Sequence, residues 1–379
     1  MDVAISVGGQ FHSYDLCRQL ESLKVDYGLF TVHCNAKAEG LSSQRVHNHP
    51  YFLADFLLNR HELGRKLRDK SGWWSAKSIL FDKLVSRQIA ARNPRVLHAW
   101  SGFGLDTHNL LQEKRRTPLV IESGSTHLRF QLSLLAEEYA AFGKKFYPNP
   151  EYYVRRVEQE FEAADAISVP SQFVFNSFLK MGVPRSKLRL IPYGVEFGRT
   201  KVSKKRDDTF RVFFAGGQPI RKGVRYLLEA WEKMGLENSE LVILGRGTRQ
   251  EMRSFIPKGK ENIRFIDKVS RTELEDLYSQ SSVFCLPSIE EGSARVVYEA
   301  MAHGLACVVS ENAGSTIRQG KEGFIVPIRS PQAIAEKLEL LHSSGKKRKA
   351  MGESARRHVR QFTWKRYGQA VAKVYGSLY

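Results

Sequence analysis

The sequence predicts an α/β protein made of two doubly wound domains, each a parallel sheet covered by helices on both faces. Three observations carry this. Short apolar runs bounded by Gly, Pro, Ser or Asn alternate with helix-length stretches, and the alternation occurs in both halves of the chain. The halves are separated by EFGRTKVSKKRDDT (196–209), which is polar, basic and nearly free of apolar residues, as a linker should be. A chain of 379 residues is long enough for two separate cores.

In chain order, the first half offers VAISV (3–7), YGLFTV (27–32), RVLHAW (95–100), PLVIES (118–123), AISVPS (166–171) and LRLIPYG (188–194) as strands. The second half offers RVFFAGG (211–217), ELVILG (240–245), IRFI (263–266), VFCLPS (283–288), ACVVS (306–310) and GFIVP (323–327). VRYLLEAWEKM (224–234) and RTELEDLYSQ (271–280) have the apolar spacing of amphipathic helices between them. FTWKRYGQAVAKVYGSLY (362–379) reads as a last helix beyond the second domain, able to pack back on the first. The boundaries are therefore a first domain over 1–196, a linker over 197–209, a second domain over 210–361 and the terminal helix over 362–379. Ligands of such sheets bind beyond the carboxyl ends of the strands, so a cleft between domains is the expected site.

Composition narrows the class. A chain 42% hydrophobic and 26% charged is an ordinary globular mixture. No apolar run approaches eighteen residues, and MDVAISVGGQ lacks the basic start and cleavage site of a signal peptide. Cys17, Cys34, Cys285 and Cys307 are scattered without a C-x-x-C pair, which argues against zinc or a disulfide framework and for buried thiols in a reducing compartment. The expected location is cytoplasmic. The formal charge of +19 attracts anions, whether nucleic acid, anionic lipid, acidic polymer or phosphorylated small molecules, without choosing among them.

Two motifs in the second half carry chemistry. FAGGQPIRKG (214–223) closes a strand with Gly216 and Gly217 and brings Arg221 and Lys222 to the start of a helix, a combination suited to a diphosphate and equally to a solvated turn. G-x-G-x-x-G is not present in order, so a dinucleotide fingerprint is excluded. SIEEGSARVVYEAMAHG (288–304) places Glu291 and Gly292 at the turn after a strand, a helix from about Ser293, and Glu299 inside it. Eight residues of helix would separate the two carboxylates by roughly 12 Å. That disfavours the ~5 Å dyad of a retaining glycosidase and a shared metal ion. Carboxylates at that span suit the hydroxyls of a ring at each end of a diphosphate, with the helix N-terminus near Ser293 and Ala294 facing the phosphates, although the motif alone reads better as a capping acid and an unrelated helix acid.

In the first half, VGGQFHSYDLCRQL (7–20) is a strand, a turn at Gly8 and Gly9, and a helix; its backbone N–H groups could meet phosphate or acceptor. VIESGSTH (120–127) ends a strand and places His127 in a loop, where a lone His is more often structural. RHELGRKLRDKSGWWSAK (60–77) mixes six Lys or Arg with Trp73 and Trp74. The mixture suits a membrane interface, stacking on nucleic acid, or a solvated face with inward tryptophans.

Around the two glutamates the sequence resembles the retaining glycosyltransferases of family 4, the group 1 family with the GT-B fold. Glu291 and Glu299 match its E-x7-E signature, within PSIEEGSARVVYEAMAHG. Gly216 to Trp231 resembles its phosphate loop, and GSTIRQGKEGFIVP (314–327), FTWKRY (362–367) and PYGVE (192–196) resemble further landmarks. The resemblance implies two Rossmann-like domains facing a cleft, acceptor-side first and donor-side second. It implies that Glu299 holds the donor ribose, that Glu291 contacts the donor sugar, and that Lys222 with Arg221 neutralises the diphosphate. It also implies that His127 lies at the cleft near the sugar. Donor contacts are then expected from Gly8, Gly9, Gly216, Gly217, Gly292, Ser293 and Ala294 as well. Two departures stand out: Gly217 occupies a position where many members have Arg, and E-G-S-A at Glu291–Ala294 replaces the usual E-G-F-G.

The implied activity is transfer of a sugar from a nucleotide-diphosphate sugar to an acceptor hydroxyl, with retention of configuration. The implied acceptor is a glycan or lipid-linked glycan. No D-x-D occurs in the chain, so neither metal nor cofactor is expected, and cationic side chains with a helix N-terminus must carry the leaving diphosphate. Peripheral contact with an anionic membrane is a further expectation; nucleic acid is not. Two other classes stay open: a GT-B nucleotide-sugar epimerase, and a basic nucleic-acid-binding protein without catalysis.

Overall fold

The structure is a computed structural model that describes residues 1–9, 11–32, 40–49, 71–196 and 203–378. Two compact units emerge. The first comprises residues 1–136, 145–192 and 364–379; the second comprises 137–144 and 193–363. The predicted bounds place 137–144 and 193–196 in the first domain, whereas both segments pack with the second.

The first unit holds a seven-stranded parallel sheet. Its strands are β1 (Val3–Val7), β2 (Tyr27–Thr31), β3 (Val46–Asn48), β4 (Val96–Trp100), β5 (Leu119–Glu122), β6 (Ala166–Val169) and β7 (Leu188–Leu190). Their order is β3-β2-β1-β4-β5-β6-β7. Six of the seven are the apolar runs read above. β3 was not anticipated: three partly exposed residues, VHN, form no apolar run. The inner strands are buried on both faces, which is why they read as continuous apolar runs rather than alternating ones.

The helix Trp364–Gly376 belongs to this unit, and its Tyr367, Val371 and Tyr375 are buried. Gly368 is where it meets the helix Ser13–Ser22: a Cβ there would lie 2.2 Å from Gln19 Cβ. A buried polar cluster holds it too. His12 Nε2 is 2.9 Å from the Tyr367 hydroxyl and 3.2 Å from Glu122 Oε1, and His98 Nδ1 meets the Tyr375 hydroxyl. His98 Nε2 faces Glu122 Oε2 at 3.6 Å. Burial alone would raise the Glu122 carboxyl, but hydrogen bonds and charge from His12 and His98 outweigh it and hold the pKa at about 2.

The second unit holds a six-stranded parallel sheet: β8 (Phe210–Ala215), β9 (Ser239–Leu244), β10 (Ile263–Ile266), β11 (Val283–Leu286), β12 (Ala306–Ser310) and β13 (Gly323–Val326), ordered β10-β9-β8-β11-β12-β13. The strand order reverses between β8 and β11, so the loops leaving these two neighbours open the crevice where such sheets bind ligands. Both motifs of the second half lie on those loops. Residues 137–144 are fastened here by Glu138, fully buried, which accepts from the Tyr226 hydroxyl at 2.9 Å and from Arg329 Nε at 2.7 Å. Among the described residues no helix is long and apolar enough to cross a membrane. Cys17, Cys285 and Cys307 are free and buried, and burial pushes their thiols up; Cys34 lies outside the described residues.

Candidate functional site

The glycine loop after β8 is shaped by two glycines. Gly216 has φ +152°, and a Cβ on it would lie 2.5 Å from Lys222 Cδ and 2.7 Å from its Cε, so the lysine stem crosses directly over the bare backbone. Gly223 has φ +67° and forms the N-cap of the helix Val224–Lys233. A Cβ there would lie 2.1 Å from the Pro287 carbonyl oxygen, so only glycine lets this loop touch the loop after β11. Gly217 is open, with nothing within 4 Å of an added Cβ, and its backbone can be approached by a ligand.

The glutamate turn after β11 is fixed from beneath. Ser310 Oγ donates to the Ser288 carbonyl at 2.5 Å and Asn312 Nδ2 to the Ile289 carbonyl at 2.7 Å, both buried. Ile289 N–H donates to the Arg221 carbonyl at 2.8 Å, joining the two loops. Their charged side chains then pair across the contact. Arg221 Nη2 lies 2.6 Å from Glu290 Oε2, and Lys222 Nζ lies 2.7 Å from Glu291 Oε2. Glu290 is fully buried, and Arg221 also donates to the Glu290 carbonyl and to Gln218 Oε1. Burial would lower the Arg221 pKa, but Glu290 and Glu291 hold it above its ordinary value. A buried charge left without its partner would be strongly destabilising, so this first pair is a structural strut.

The helix begins at Arg295, two residues later than expected from sequence. Ala294 stays extended because its N–H donates to the Ala313 carbonyl at 3.3 Å, and Ser293 Oγ is 3.2 Å from the Tyr298 hydroxyl. Ser293 and Ala294 are both buried at the end of the turn, with Gly292 before them. Glu299 occupies the second helical turn. Its Oε2 accepts from the Tyr278 hydroxyl at 3.0 Å and its Oε1 lies 3.4 Å from Arg271 Nη1. Tyr278 is almost fully buried, burial pushes its phenol well above the ordinary value, and its ring stacks on His303 at 4.9 Å. Glu299 lines a cavity of about 230 Å³ with Arg271, Arg295, Tyr298, His303 and residues 194–196. Tyr278, Arg271 and Glu290 were missed from sequence. Each acts on a partner 21 to 69 residues away, and only the pairing of Arg-Lys with a downstream Glu-Glu hinted at it.

In the first unit, Gly8 closes against Phe103, whose Cε1 would lie 2.0 Å from an added Cβ, and Gly9 against Phe11. His127 is buried between Phe161 and Phe178, each ring 5.2 Å away, and its N–H donates to Ser177 Oγ at 3.0 Å. Burial lowers its pKa, with Glu158 opposing. It borders a cavity of about 330 Å³ with Glu158, Phe161, Met181 and Lys187. Residues 60–70 of the basic stretch lie outside the described residues. Trp73 is half-buried, Trp74 is 41% exposed, and Lys77 lies over both rings.

Two parallel-sheet α/β domains, the second setting a glycine loop and an acidic turn on neighbouring strands at its reversal point, define the GT-B class. The chain belongs to glycosyltransferase family 4: the family model described as "Glycosyltransferase Family 4" matches residues 7–199, and "Glycosyl transferases group 1" matches 199–358. Among its relatives is spore coat protein SA of Bacillus subtilis, 31% identical over 180 residues, covering 43% of this chain and 48% of that protein. Another is the phosphatidyl-myo-inositol mannosyltransferase of Mycobacterium leprae, 29% identical over 160 residues, 41% of this chain and 43% of that one. The chain spans about half the length of the curated relatives it matches. A solved structure of similar fold is Anabaena Alr3699/HepE in complex with UDP and glucose, with a TM-score of 0.71, 14% identity and 100% of both chains covered.

Proposed function

We propose that this protein transfers a sugar from a nucleotide-diphosphate sugar to an acceptor hydroxyl, with retention and without a metal ion. The observation that carries the reading is the meeting of Lys222 and Glu291 at the glycine loop that bears the open Gly217, with Glu299, one helical stretch beyond Glu291, lining a cavity. Glu299 would accept the ribose hydroxyls, Lys222 the diphosphate, and Glu291 the sugar hydroxyls. Arg221 would act through the strut that fixes both loops. No carboxylate is placed as a nucleophile in this scheme, so a front-face displacement driven by positioning and leaving-group stabilisation is the step proposed. His127, Gly8 and Gly9 would serve from the first domain.

The UDP and glucose bound by the Anabaena protein support a nucleotide-sugar donor, and the name of the Mycobacterium relative supports a lipid-linked acceptor. For the acceptor we favour a glycan or lipid-linked glycan, reached at the cytoplasmic face of a membrane. The exposed Trp74, Leu80 and Leu84, interleaved with Lys83 and Arg87 on the helix Ser71–Ala91, support contact with an anionic surface.

The test is calorimetric titration with UDP, GDP, ADP and dTDP in excess chelator, using wild type and Glu299→Ala. Metal-independent binding of one nucleotide, weakened at least tenfold in the variant, is expected from the loss of charged hydrogen bonds. Failure of a folded protein to bind any of the four would overturn the reading. Conversion of donor into a second nucleotide sugar, without free nucleoside diphosphate, would instead identify an epimerase.

A further inference from the structure

The two ion pairs at the site differ in a way that the transfer reaction does not require. Arg221–Glu290 is locked: the carboxylate is fully buried, and the guanidinium is held by a main-chain carbonyl and Gln218 as well. Lys222–Glu291 meets through one contact of 2.7 Å among the described residues, between side chains 15% and 19% exposed, with the Arg221 charge acting on Glu291 from nearby. The lysine stem runs over Gly216, taking the space that a side chain there would fill. Beside it lies the open Gly217, where a ligand can approach.

We propose that Glu291 is a resident counter-ion of Lys222, displaced by the donor's diphosphate, so that phosphate capture and the release of Glu291 toward the sugar are one exchange. This deepens the donor-site reading and rests on it. An ammonium has three donors and no fixed geometry, so it can leave a carboxylate for a more highly charged phosphate. The freed Glu291 then needs hydrogen-bond donors, because a half-buried carboxylate without them is costly. A nucleotide sugar brings sugar hydroxyls beyond its β-phosphate; a bare nucleoside diphosphate ends there, offers Glu291 no hydroxyl and adds like charge. Glu291 therefore penalises the product nucleotide relative to the donor, favouring release after transfer.

The experiment compares binding of the four nucleoside diphosphates, and of UDP-glucose, GDP-mannose, ADP-glucose and dTDP-glucose, to wild type, Glu291→Gln, Lys222→Met and the double variant. Thermal unfolding verifies each fold. Glu291→Gln is expected to bind the preferred free nucleotide about two- to fivefold more tightly, the range for releasing a partly screened pair, while its nucleotide sugar does not gain. In the Lys222→Met background that gain shrinks by at least half, which separates exchange from plain charge repulsion. Should Glu291→Gln fold poorly, Glu291→Asp, with a shorter reach, shows a smaller gain in the same direction. An unchanged affinity for free nucleotide, or an equal gain with and without Lys222, refutes the exchange while leaving the donor site intact. Wild type binding no nucleotide at all brings down both.

Discussion

Replacing Glu122 by Gln removes the one negative charge between His12 and His98 while keeping shape and most hydrogen-bonding capacity. The folded pKa of about 2, against an ordinary 4.5, means that the carboxylate favours the folded state by about 2.5 pH units. At about 1.4 kcal/mol per unit this is roughly 3–4 kcal/mol. The sign follows from the direction of the shift. A depressed carboxyl contributes its full stability above pH 4.5 and loses it as pH falls from 4.5 toward 2. Glu122→Gln is thus expected to be less stable than wild type by about 3–4 kcal/mol at pH 7, with the gap closing by about 1.4 kcal/mol per unit below pH 4.5. Denaturant unfolding followed by circular dichroism at pH 7, 4 and 3 measures this. Because Tyr367 shares His12 with Glu122, amide exchange in the helix Trp364–Gly376 should rise as well. Equal stability of variant and wild type at pH 7, or a gap that does not narrow between pH 4.5 and 3, would refute the reasoning.

Two further substitutions probe the second unit. Arg221→Met leaves Glu290 buried without its cation and should cost about 3–5 kcal/mol, read as a drop in the unfolding midpoint, whereas a cost under about 1 kcal/mol would show that the strut does not hold the loops. Gly223→Ala forces a side chain into the left-handed region and against the Pro287 carbonyl. It should cost at least about 2 kcal/mol and weaken nucleotide binding, since Lys222 is carried on the displaced loop; full binding in a stable variant would contradict the loop contact.

What was legible in the sequence follows from burial. Strands covered on both faces must be apolar throughout, and among the described residues twelve of thirteen strands lie on apolar runs, including the partly exposed β7 and β10, whereas β3, VHN, has no apolar run to show. The glycine loop and the glutamate turn were legible as local patterns. Their joining was not, because Arg221–Glu290 and Lys222–Glu291 each span 69 positions, and no local rule relates residues so far apart. The same holds for Tyr278 and Glu299. The late start of the helix at Arg295 depends on an N–H bond from Ala294 to Ala313, again a tertiary partner. His127 is legible as a lone histidine in a loop, but its aromatic neighbours Phe161 and Phe178, 34 and 51 positions on, cannot be read from that loop.

The way the compact units share the chain bears on how it can be taken apart. A scissor cut in the linker would not yield two self-sufficient pieces. The downstream fragment would lose Glu138, stranding Arg329 and Tyr226 at a vacated groove, and the upstream fragment would lose Tyr367 and Tyr375 from its histidines. Half-molecules made for crystallography or segmental isotope labelling therefore need both borrowed segments supplied, or must be reassembled as complementing pairs.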